Sequence, residues 1–229
     1  MPNIAIVAAL EREVRPLVKK WEVHNLEHEG RRFRFLQNDE IVLVCGGVGG
    51  TAARRAAEAI ITLFHPSMVY SVGFAGALDP KLKVPDLLRP SRVINAGDAS
   101  STNVQGGTGV LVSFGAIASP EQKARLRDSF GAQAVDMEAA SVARAAAARG
   151  VAFAVVKVVS DEIDFEFPAM ERFVDSEGRF SEARFAMFAA LRPWLWPRVI
   201  RLASNSNRAR RALCAYLDKL PGVSAALRA

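Results

Sequence analysis

The sequence predicts an α/β protein with parallel strands in its sheet, and three observations lead to that prediction. Strand-length apolar runs alternate along the chain with longer segments of helix-forming residues. The run 152–159 (AFAVVKVV) is almost continuously apolar and rich in valine, as is typical of a strand buried on both faces of a parallel sheet. The chain has 229 residues and is 50% hydrophobic, which is enough for one such domain with a sizeable core. The chain is too short to hold a second full domain comfortably beside the first.

The strands are predicted from runs of apolar and β-branched residues. In order along the chain they are residues 3–10, 32–36, 40–45, 67–72, 92–96, 110–114, 133–135 and 152–159. The second and third are expected to form a hairpin around Gln37, Asn38 and Asp39. The stretch 97–109 (GDASSTNVQGGTG) is small and polar, which predicts a flexible loop.

The helices are predicted at residues 11–20, 52–64, 119–130, 137–149, 181–191 and 199–220. The third has a clear start, because Ser119 is followed by Pro120 and by Gln122 at the capping-box position. The fourth is mostly alanine with valine, glutamate and arginine, and Gly150 lies where such a helix usually ends.

Carboxylates lie at both ends of the segment formed by this fourth helix and the strand after it. Asp136 and Glu138 stand at the start of the helix, and Asp161 stands at the end of the strand. Ligands of open α/β sheets bind outside the carboxyl ends of the strands, so Glu138 and Asp161 are expected to face one crevice. The alternative is that Asp136 and Glu138 only complement a helix N-terminus and that Ser160-Asp161 is a polar strand end.

V-D-M-E-A-A followed by V-V-S-D resembles the paired motif of the purine nucleoside phosphorylase and methylthioadenosine/S-adenosylhomocysteine nucleosidase superfamily. The resemblance implies a three-layer α/β/α fold around a central mixed, mostly parallel twisted sheet. It also implies that Met137 and Glu138 hold the ribose of a nucleoside substrate. Ser160 and Asp161 would then address the purine, with Asp161 as the general acid at N7.

The same resemblance extends to the first turn of the chain and to the glycine-rich turn 46–51 (GGVGGT). Glu13, followed by valine, matches the glutamate that activates the attacking water in nucleosidases, although by itself the segment indicates a solvated helix start. Gly46, Gly47 and Gly49 match a turn beside the ribose and the nucleophile, where backbone amides can approach a ligand oxygen. The G-x-G-x-x-G order of a dinucleotide site is absent.

A third block, G-F-A-G-A-L at 73–78, resembles the family's G-S-A-G-G-L turn and assigns Phe74 and Gly76 to the substrate site. Phe74 stands where the family has a serine that helps to hold phosphate or water, which puts the nucleophile pocket in question. Ile117 stands where nucleosidases often stack an aromatic ring on the purine. The stretch 97–109 is shorter than in the family, so a more open pocket and a bulky 5′ substituent are expected.

The segments SDEIDF and LRPWLWP, together with the short loop, are most similar to the hopanoid-associated phosphorylase branch. That resemblance implies removal of adenine from adenosylhopane in hopanoid biosynthesis, by transfer of the ribosyl group to phosphate. The nucleophile stays open: Glu13 favours water, whereas Arg12, Arg15 and the amides of the turn could hold phosphate. The alternatives are a hydrolytic nucleosidase and a non-catalytic nucleoside-binding protein whose pocket Phe74 has spoiled.

The C-terminal region is basic. The net charge is +6, and residues 192–211 contain six arginines and no acidic residue, which favours an acidic partner such as nucleic acid or an anionic membrane. Trp194 and Trp196 resemble an interfacial anchor, or else they pack the tail on the core. No aromatic residue lies among the arginines of residues 198–211, so nucleic acid is not expected. The predicted division is a nucleosidase-like domain at 1–190 and a basic helical tail at 191–229.

The composition does not indicate a metal site or a bound cofactor. The two cysteines and three histidines show no metal or redox spacing, so no metal and no cofactor is expected beyond phosphate as a co-substrate. No run approaches the ~20 apolar residues of a membrane-spanning helix. We expect a cytoplasmic protein with peripheral membrane contact through its tail. The family resemblance implies a homo-oligomer that acts on a small nucleoside, in the hopanoid branch a lipid-linked one.

Overall fold

The computed structural model describes residues 2–167, 170–175 and 177–220, and these form one sheet with helices on both of its faces. The strands are β1 Ile4–Ala8, β2 Glu22–His28, β3 Arg31–Asn38, β4 Ile41–Cys45, β5 Met68–Ala77, β6 Leu87–Leu88, β7 Arg92–Asn95, β8 Ser101–Asn103, β9 Val110–Ser113, β10 Ala134–Asp136 and β11 Ala152–Asp161. The helices are α1 Glu11–Val18, α2 Gly50–Phe64, α3 Pro120–Phe130, α4 Ala139–Ala147, α5 Glu182–Ala190 and α6 Trp196–Leu217.

The sheet is mixed and branches at β5. Its main order is β2-β3-β4-β1-β5-β10-β9-β7-β8, and β11 also pairs with β5, in parallel. The central strands β4, β1, β5 and β11 run parallel, whereas β2, β3, β6 and β8 are antiparallel additions at the margins. The end of β5 turns to pair antiparallel with β10, through Gly76 and Val135. The carboxyl ends of β1 and β11 therefore open at the same edge, where β10 feeds α4.

Two apolar layers hold the helices on the sheet and confirm the predicted three-layer α/β/α class. On one face α1 and α6 bury Val14, Val18, Leu213 and Leu217 against strands β1, β4, β5 and β11. On the other face α2 and α4 bury mainly alanine, with Ile60 and Val142, which lets both helices lie close to the strands. The sheet core is thus covered on both sides, as the apolar character of 152–159 predicts.

The structure differs from the predicted elements at the margins of the sheet. β2 was not predicted, because its sequence EVHNLEH exposes most side chains and lacks an apolar run. The stretch 97–109 is not wholly a loop, since Ser101–Asn103 pairs with β7. β5 continues five residues beyond the predicted end at 72, because Gly73 and Gly76 lie within the strand and not in a turn.

The basic C-terminal helix packs on the main core. Ala209, Leu213 and Leu217 are fully buried in the same cluster as Val14 and Val18 of α1. Among the residues that the structure describes, no helix is long and apolar enough to cross a membrane. Trp194 is 71% exposed, whereas Trp196 is 50% exposed and its Nε1 donates to the carbonyl oxygen of Ala189 in α5.

Candidate active site

A pocket opens at the sheet edge where β1, β5 and β11 end and α4 begins. It brings together eight of the side chains and backbone positions predicted for the site: Glu13, Phe74, Gly76, Ile117, Met137, Glu138, Ser160 and Asp161. They come from both ends of the sequence, and the strand ends bring them to one place. Ile117 supplies an apolar wall, as expected.

Gly46, Gly47 and Gly49 are not among the residues that line the pocket, and their predicted role as ligand-binding amides stays a prediction. The amides of Gly46 and Gly47 donate to the carbonyls of Ala8 and Ala9, both at 2.9 Å. The amide of Gly49 donates to Glu138 Oε1 at 2.9 Å. Glycine is needed here for packing, because a Cβ on Gly47, whose φ is +102°, would lie 2.9 Å from a backbone carbonyl oxygen.

The sequence left open whether Asp136 and Glu138 face a ligand or only complement the N-terminus of a helix. Asp136 complements the start of α4, since its Oδ2 accepts a hydrogen bond from the amide of Ala139 at 2.9 Å and its Oδ1 accepts from Ser113 Oγ at 2.5 Å. Glu138 is held by the amides of Gly49 and Met137, and both carboxylates line the pocket. Asp136 therefore also complements the start of the helix, whereas Glu138 does not bond to the helix amides.

Lys157 was not predicted from the sequence as a residue of the site. It projects from β11, is 1% exposed, and pairs with Asp136 Oδ2 at 2.8 Å. Burial by itself lowers the pKa of Lys157, but Asp136 and Glu138 outweigh burial and raise it, so the ammonium form persists. The signal was present in the sequence: one lysine inside the apolar run AFAVVKVV needs buried carboxylates around it.

Glu13 lies beside this cluster with its carboxyl group buried. Burial raises its pKa from the ordinary 4.5 to about 7, with the neighbouring Glu138 as the next cause, while Lys157 and Arg12 lower it. Burial also raises the pKa of Glu138. Within the described part of the chain, Glu13 Oε2 has no hydrogen-bond partner. A buried carboxylate oxygen that is unpartnered and titrates near neutral pH is suited to accept a proton from a bound water.

Asp161 is held at the other side of the pocket by Ser160 and Lys123. Ser160 Oγ donates to Asp161 Oδ1 at 2.8 Å, and Lys123 Nζ contacts Oδ2 at 2.5 Å. Lys123 was also missed, because in the polar helix α3 nothing in the local sequence distinguishes it from exposed lysines and arginines. Gly76 makes room for the pair, since a Cβ there would lie 2.7 Å from Asp161 Oδ2.

Metal ligands are not assembled at this pocket. Across the described ranges, no group of three or more histidine, cysteine, aspartate or glutamate side chains is placed to hold a metal ion. The carboxylates of the site are engaged instead by lysines, amides and a serine hydroxyl.

Comparisons with known proteins identify the family of the chain. A family model described as the phosphorylase superfamily matches residues 3–120 and 98–191. The 5'-methylthioadenosine/S-adenosylhomocysteine nucleosidase of Staphylococcus epidermidis is 28% identical, over 75% of this chain and 92% of its own length. The aminodeoxyfutalosine nucleosidase of Campylobacter jejuni is 24% identical, over 79% of this chain and 95% of its own length.

The fold is also shared with solved structures. A mutant of Helicobacter pylori MTAN with 5'-methylthioadenosine in its active site aligns with a TM-score of 0.63 and 23% identity, over 72% of this chain and 87% of that one. A Colwellia psychrerythraea nucleosidase in complex with adenine aligns with a TM-score of 0.62 and 25% identity, over 69% of this chain and 82% of that one.

Proposed function

Given that the chain belongs to the phosphorylase superfamily, we propose that it cleaves the N-ribosyl bond of a 5′-substituted adenine nucleoside and releases adenine. The protein is an enzyme, as the sequence predicts, because its relatives are nucleosidases. The two carboxylates that the bond cleavage requires, Glu138 and Asp161, line one pocket with Met137 between strand and helix. This grouping supports the assignment of the substrate class.

The chemistry follows from where charge develops. Breaking the bond makes the sugar cationic and leaves negative charge on the departing base. Glu138 would accept hydrogen bonds from ribose hydroxyls and stabilise the cationic sugar, while Met137 packs against the ring. Asp161 would address purine N7, where the leaving base takes up a proton. Preorganised groups of this kind typically contribute ~10²–10³-fold each.

Water activated by Glu13 is the nucleophile that the geometry supports best. The observation that carries this choice is that Glu13 lines the pocket and that its buried Oε2 has no hydrogen-bond partner among the described residues. Three carboxyl groups, from Glu13, Asp136 and Glu138, surround the single ammonium of Lys157, and such a cluster repels a phosphate dianion. The amides of Gly46, Gly47 and Gly49 are already bonded within the protein. We therefore place hydrolysis ahead of phosphorolysis.

Phosphorolysis of an adenosylhopane-type substrate is the second candidate, and Arg12 favours it. The guanidinium lines the same pocket, its Nε is buried without a hydrogen-bond partner in the part of the chain that the structure describes, and its ion pair with Glu182 is long, at 3.7 Å. Arginine is the side chain best shaped to hold phosphate oxygens.

An apolar 5′ group is supported by one side of the pocket. Phe167, Val174 and Phe180 form that wall, and Phe180 packs on Phe185 of α5 with ring centroids 5.7 Å apart. The outer side of the same region exposes large apolar side chains: Met187, Leu191, Trp194, Trp196 and Ile200, here called the apolar patch. Residues 183–217 add seven arginines and no acidic residue. We propose that the apolar patch contacts an anionic membrane from which a lipid-linked nucleoside enters.

The test is release of free adenine from adenosines that carry either a methylthio group or a long apolar chain at the 5′ position, with and without phosphate. We expect adenine in both conditions and its loss in Glu13→Gln. Glu11→Gln is the matched control, because Glu11 lies on the same helix in an exposed ion pair with Arg34. A strict requirement for phosphate would establish the second candidate. No adenine from a folded protein would favour the nucleoside-binding alternative.

A further inference from the structure

Lys123 and Asp161 form a closed, buried pair at the base side of the pocket. The side chains of Lys123 and Asp161 are 1% and 4% exposed. Lys123 Nζ lies 2.5 Å from Asp161 Oδ2 and 2.6 Å from the carbonyl oxygen of Glu162, while Ser160 Oγ donates to Asp161 Oδ1. Both oxygens of the Asp161 carboxylate thus accept hydrogen bonds, and the hydrogens of these bonds lie on Ser160 and Lys123.

In this geometry the proton that purine N7 needs must come from a donor in contact with Asp161. Ser160 and Lys123 are both such donors and both line the pocket. An ammonium group gives up a proton far more readily than a serine hydroxyl, so Lys123 is the better source. The carboxylate of Glu162 does not compete for this lysine, because it faces Lys83 at 3.5 Å and Arg201 at 3.7 Å. Lys123 therefore shares its charge with Asp161 alone among the described carboxylates.

We propose that Lys123 supplies the proton of the leaving adenine, passed through Asp161, so that the lysine and the aspartate together form the general acid. This inference rests on the proposed adenine release. As the bond between C1′ and N9 breaks, its electron pair moves onto the purine. Lys123 Nζ gives a proton to Asp161, and Asp161 passes that proton to N7, so Asp161 ends the step as a carboxylate and Lys123 ends it as a neutral amine.

Protons balance over the full cycle. The attacking water gives its hydroxyl to C1′ and its proton to Glu13, so one carboxyl group gains a proton while Lys123 becomes a neutral amine. After the products leave, Glu13 releases its proton to solvent and Lys123 regains one.

The placement of Lys123 depends on the start of α3. Ser119 and Gln122 form a full capping box, with the Gln122 amide donating to Ser119 Oγ at 3.3 Å and Gln122 Oε1 accepting from the Ser119 amide at 2.8 Å. Lys123 follows in the first turn, where this cap fixes the backbone. The lysine is thus aimed at β11 by the most strongly specified helix start in the chain.

The test compares two leaving groups in the variants Lys123→Gln and Lys123→Arg. Adenine release from the preferred 5′-substituted adenosine is measured beside release of p-nitrophenolate from p-nitrophenyl ribofuranoside, whose leaving group needs no proton. We expect both variants to lose about 10²–10⁴-fold in adenine release, the range of a missing general acid, with p-nitrophenolate release nearly unchanged. Arginine keeps the positive charge and the contact but does not give up its proton, so it should not rescue.

Arg125→Gln is the matched control, since it removes an exposed positive charge two residues away on α3. The double variant Lys123→Gln/Asp161→Asn replaces both charges with amides and keeps the site testable if a single change unfolds the protein; it too should lose adenine release and retain p-nitrophenolate release. Recovery of adenine release in Lys123→Arg would overturn the proposal in favour of a positioning role. Equal loss with both leaving groups would also overturn it. Absence of adenine release by the unaltered protein would instead reject the proposed function.

Discussion

At Glu13, the burial that suits a proton acceptor also lowers the stability of the folded protein. Its carboxyl is buried, has no hydrogen-bond partner within the described residues, and titrates near pH 7. A group held in this way raises the free energy of the folded state when it is ionised, which is also the form that can accept a proton from water. The site therefore keeps a reactive carboxylate at a cost to folding.

Replacing Glu13 with glutamine should stabilise the protein at alkaline pH while abolishing hydrolysis. The unfolded chain loses this proton near pH 4.5 and the folded chain near pH 7, so the stability of the unaltered protein falls between those values and stays lower above them. The gain in the variant should approach about 3 kcal/mol at pH 8 and vanish near pH 4. Urea unfolding at both pH values measures it, and a gain independent of pH would contradict the assignment.

The activity of the unaltered protein should depend on pH through the same group. The ratio kcat/KM for adenine release is expected to fall as the pH drops below about 7, because Glu13 becomes protonated and can no longer accept a proton. A rate profile between pH 5 and 9 in phosphate-free buffer measures this limb. A flat profile across that range would exclude Glu13 as the base.

Lys157 should be essential for folding as much as for activity. Removing its charge in Lys157→Met leaves Asp136 buried without its ionic partner, which typically costs about 3–5 kcal/mol of unfolding free energy. Urea unfolding measures the loss, with Lys20→Met, at an exposed position, as the control. A cost below about 1 kcal/mol, as for exposed pairs, would show that the buried pair does not form in solution.

At the scale of elements, β5 shapes the site because two of its residues are glycines without side chains. Gly73 and Gly76 lie within a strand, and the missing side chains leave room for Glu13 and for Asp161 with Lys123. A Cβ at Gly73 would lie 2.8 Å from Glu13 Oε2. Two glycines that weaken a strand by propensity are thus required by the close approach of functional carboxylates to its backbone.

Gly76→Ala should impair catalysis more than folding. The added methyl group would meet Asp161 Oδ2 at 2.7 Å and Lys123 Cε at 3.2 Å, so the pair must shift. We expect kcat for adenine release to fall at least about 10²-fold, as for other displacements of around 1 Å at a reacting site. Gly115→Ala is the control, because a Cβ there meets nothing within 4 Å. Kinetic constants and a thermal melt are measured together, and an unchanged kcat would show that Asp161 is not where the chemistry occurs.

At the scale of the whole molecule, the C-terminal region has two faces with different purposes. Leu213 and Leu217 join the main core, whereas the apolar patch is exposed beside a run of arginines. Exposed tryptophan and leucine next to arginine match the chemistry of an anionic lipid surface, and isolated exposed apolar residues elsewhere do not. The predicted homo-oligomer stays a prediction, and the same patch is the surface on which it can be tested.

The protein should sediment with vesicles of equal parts phosphatidylglycerol and phosphatidylcholine, and bind pure phosphatidylcholine vesicles more weakly. Leu191→Ser/Trp194→Ser should abolish sedimentation, while Val23→Ser/Leu26→Ser, which alters exposed apolar residues on β2, should not. Higher salt should weaken binding, because part of the attraction is electrostatic. If the first double variant instead changes the molar mass measured by light scattering and has no effect on sedimentation, the apolar patch is a subunit contact.

The sequence by itself determined the fold class, the strand and helix order of the core, and most of the residues of the candidate site. It could do so because buried parallel strands require continuous apolar runs, and because Met137-Glu138 and Ser160-Asp161 carry a recognisable spacing. Only the tertiary structure showed that Lys123 and Lys157 pair with Asp161 and Asp136, that amides of the 46–51 turn bond within the protein, and that Trp194 is exposed. The physical reason is that the role of a charge or a hydrogen-bond donor depends on partners that are distant in sequence. Apolar periodicity, in contrast, is a pattern of neighbouring residues and can be recognised from the sequence alone.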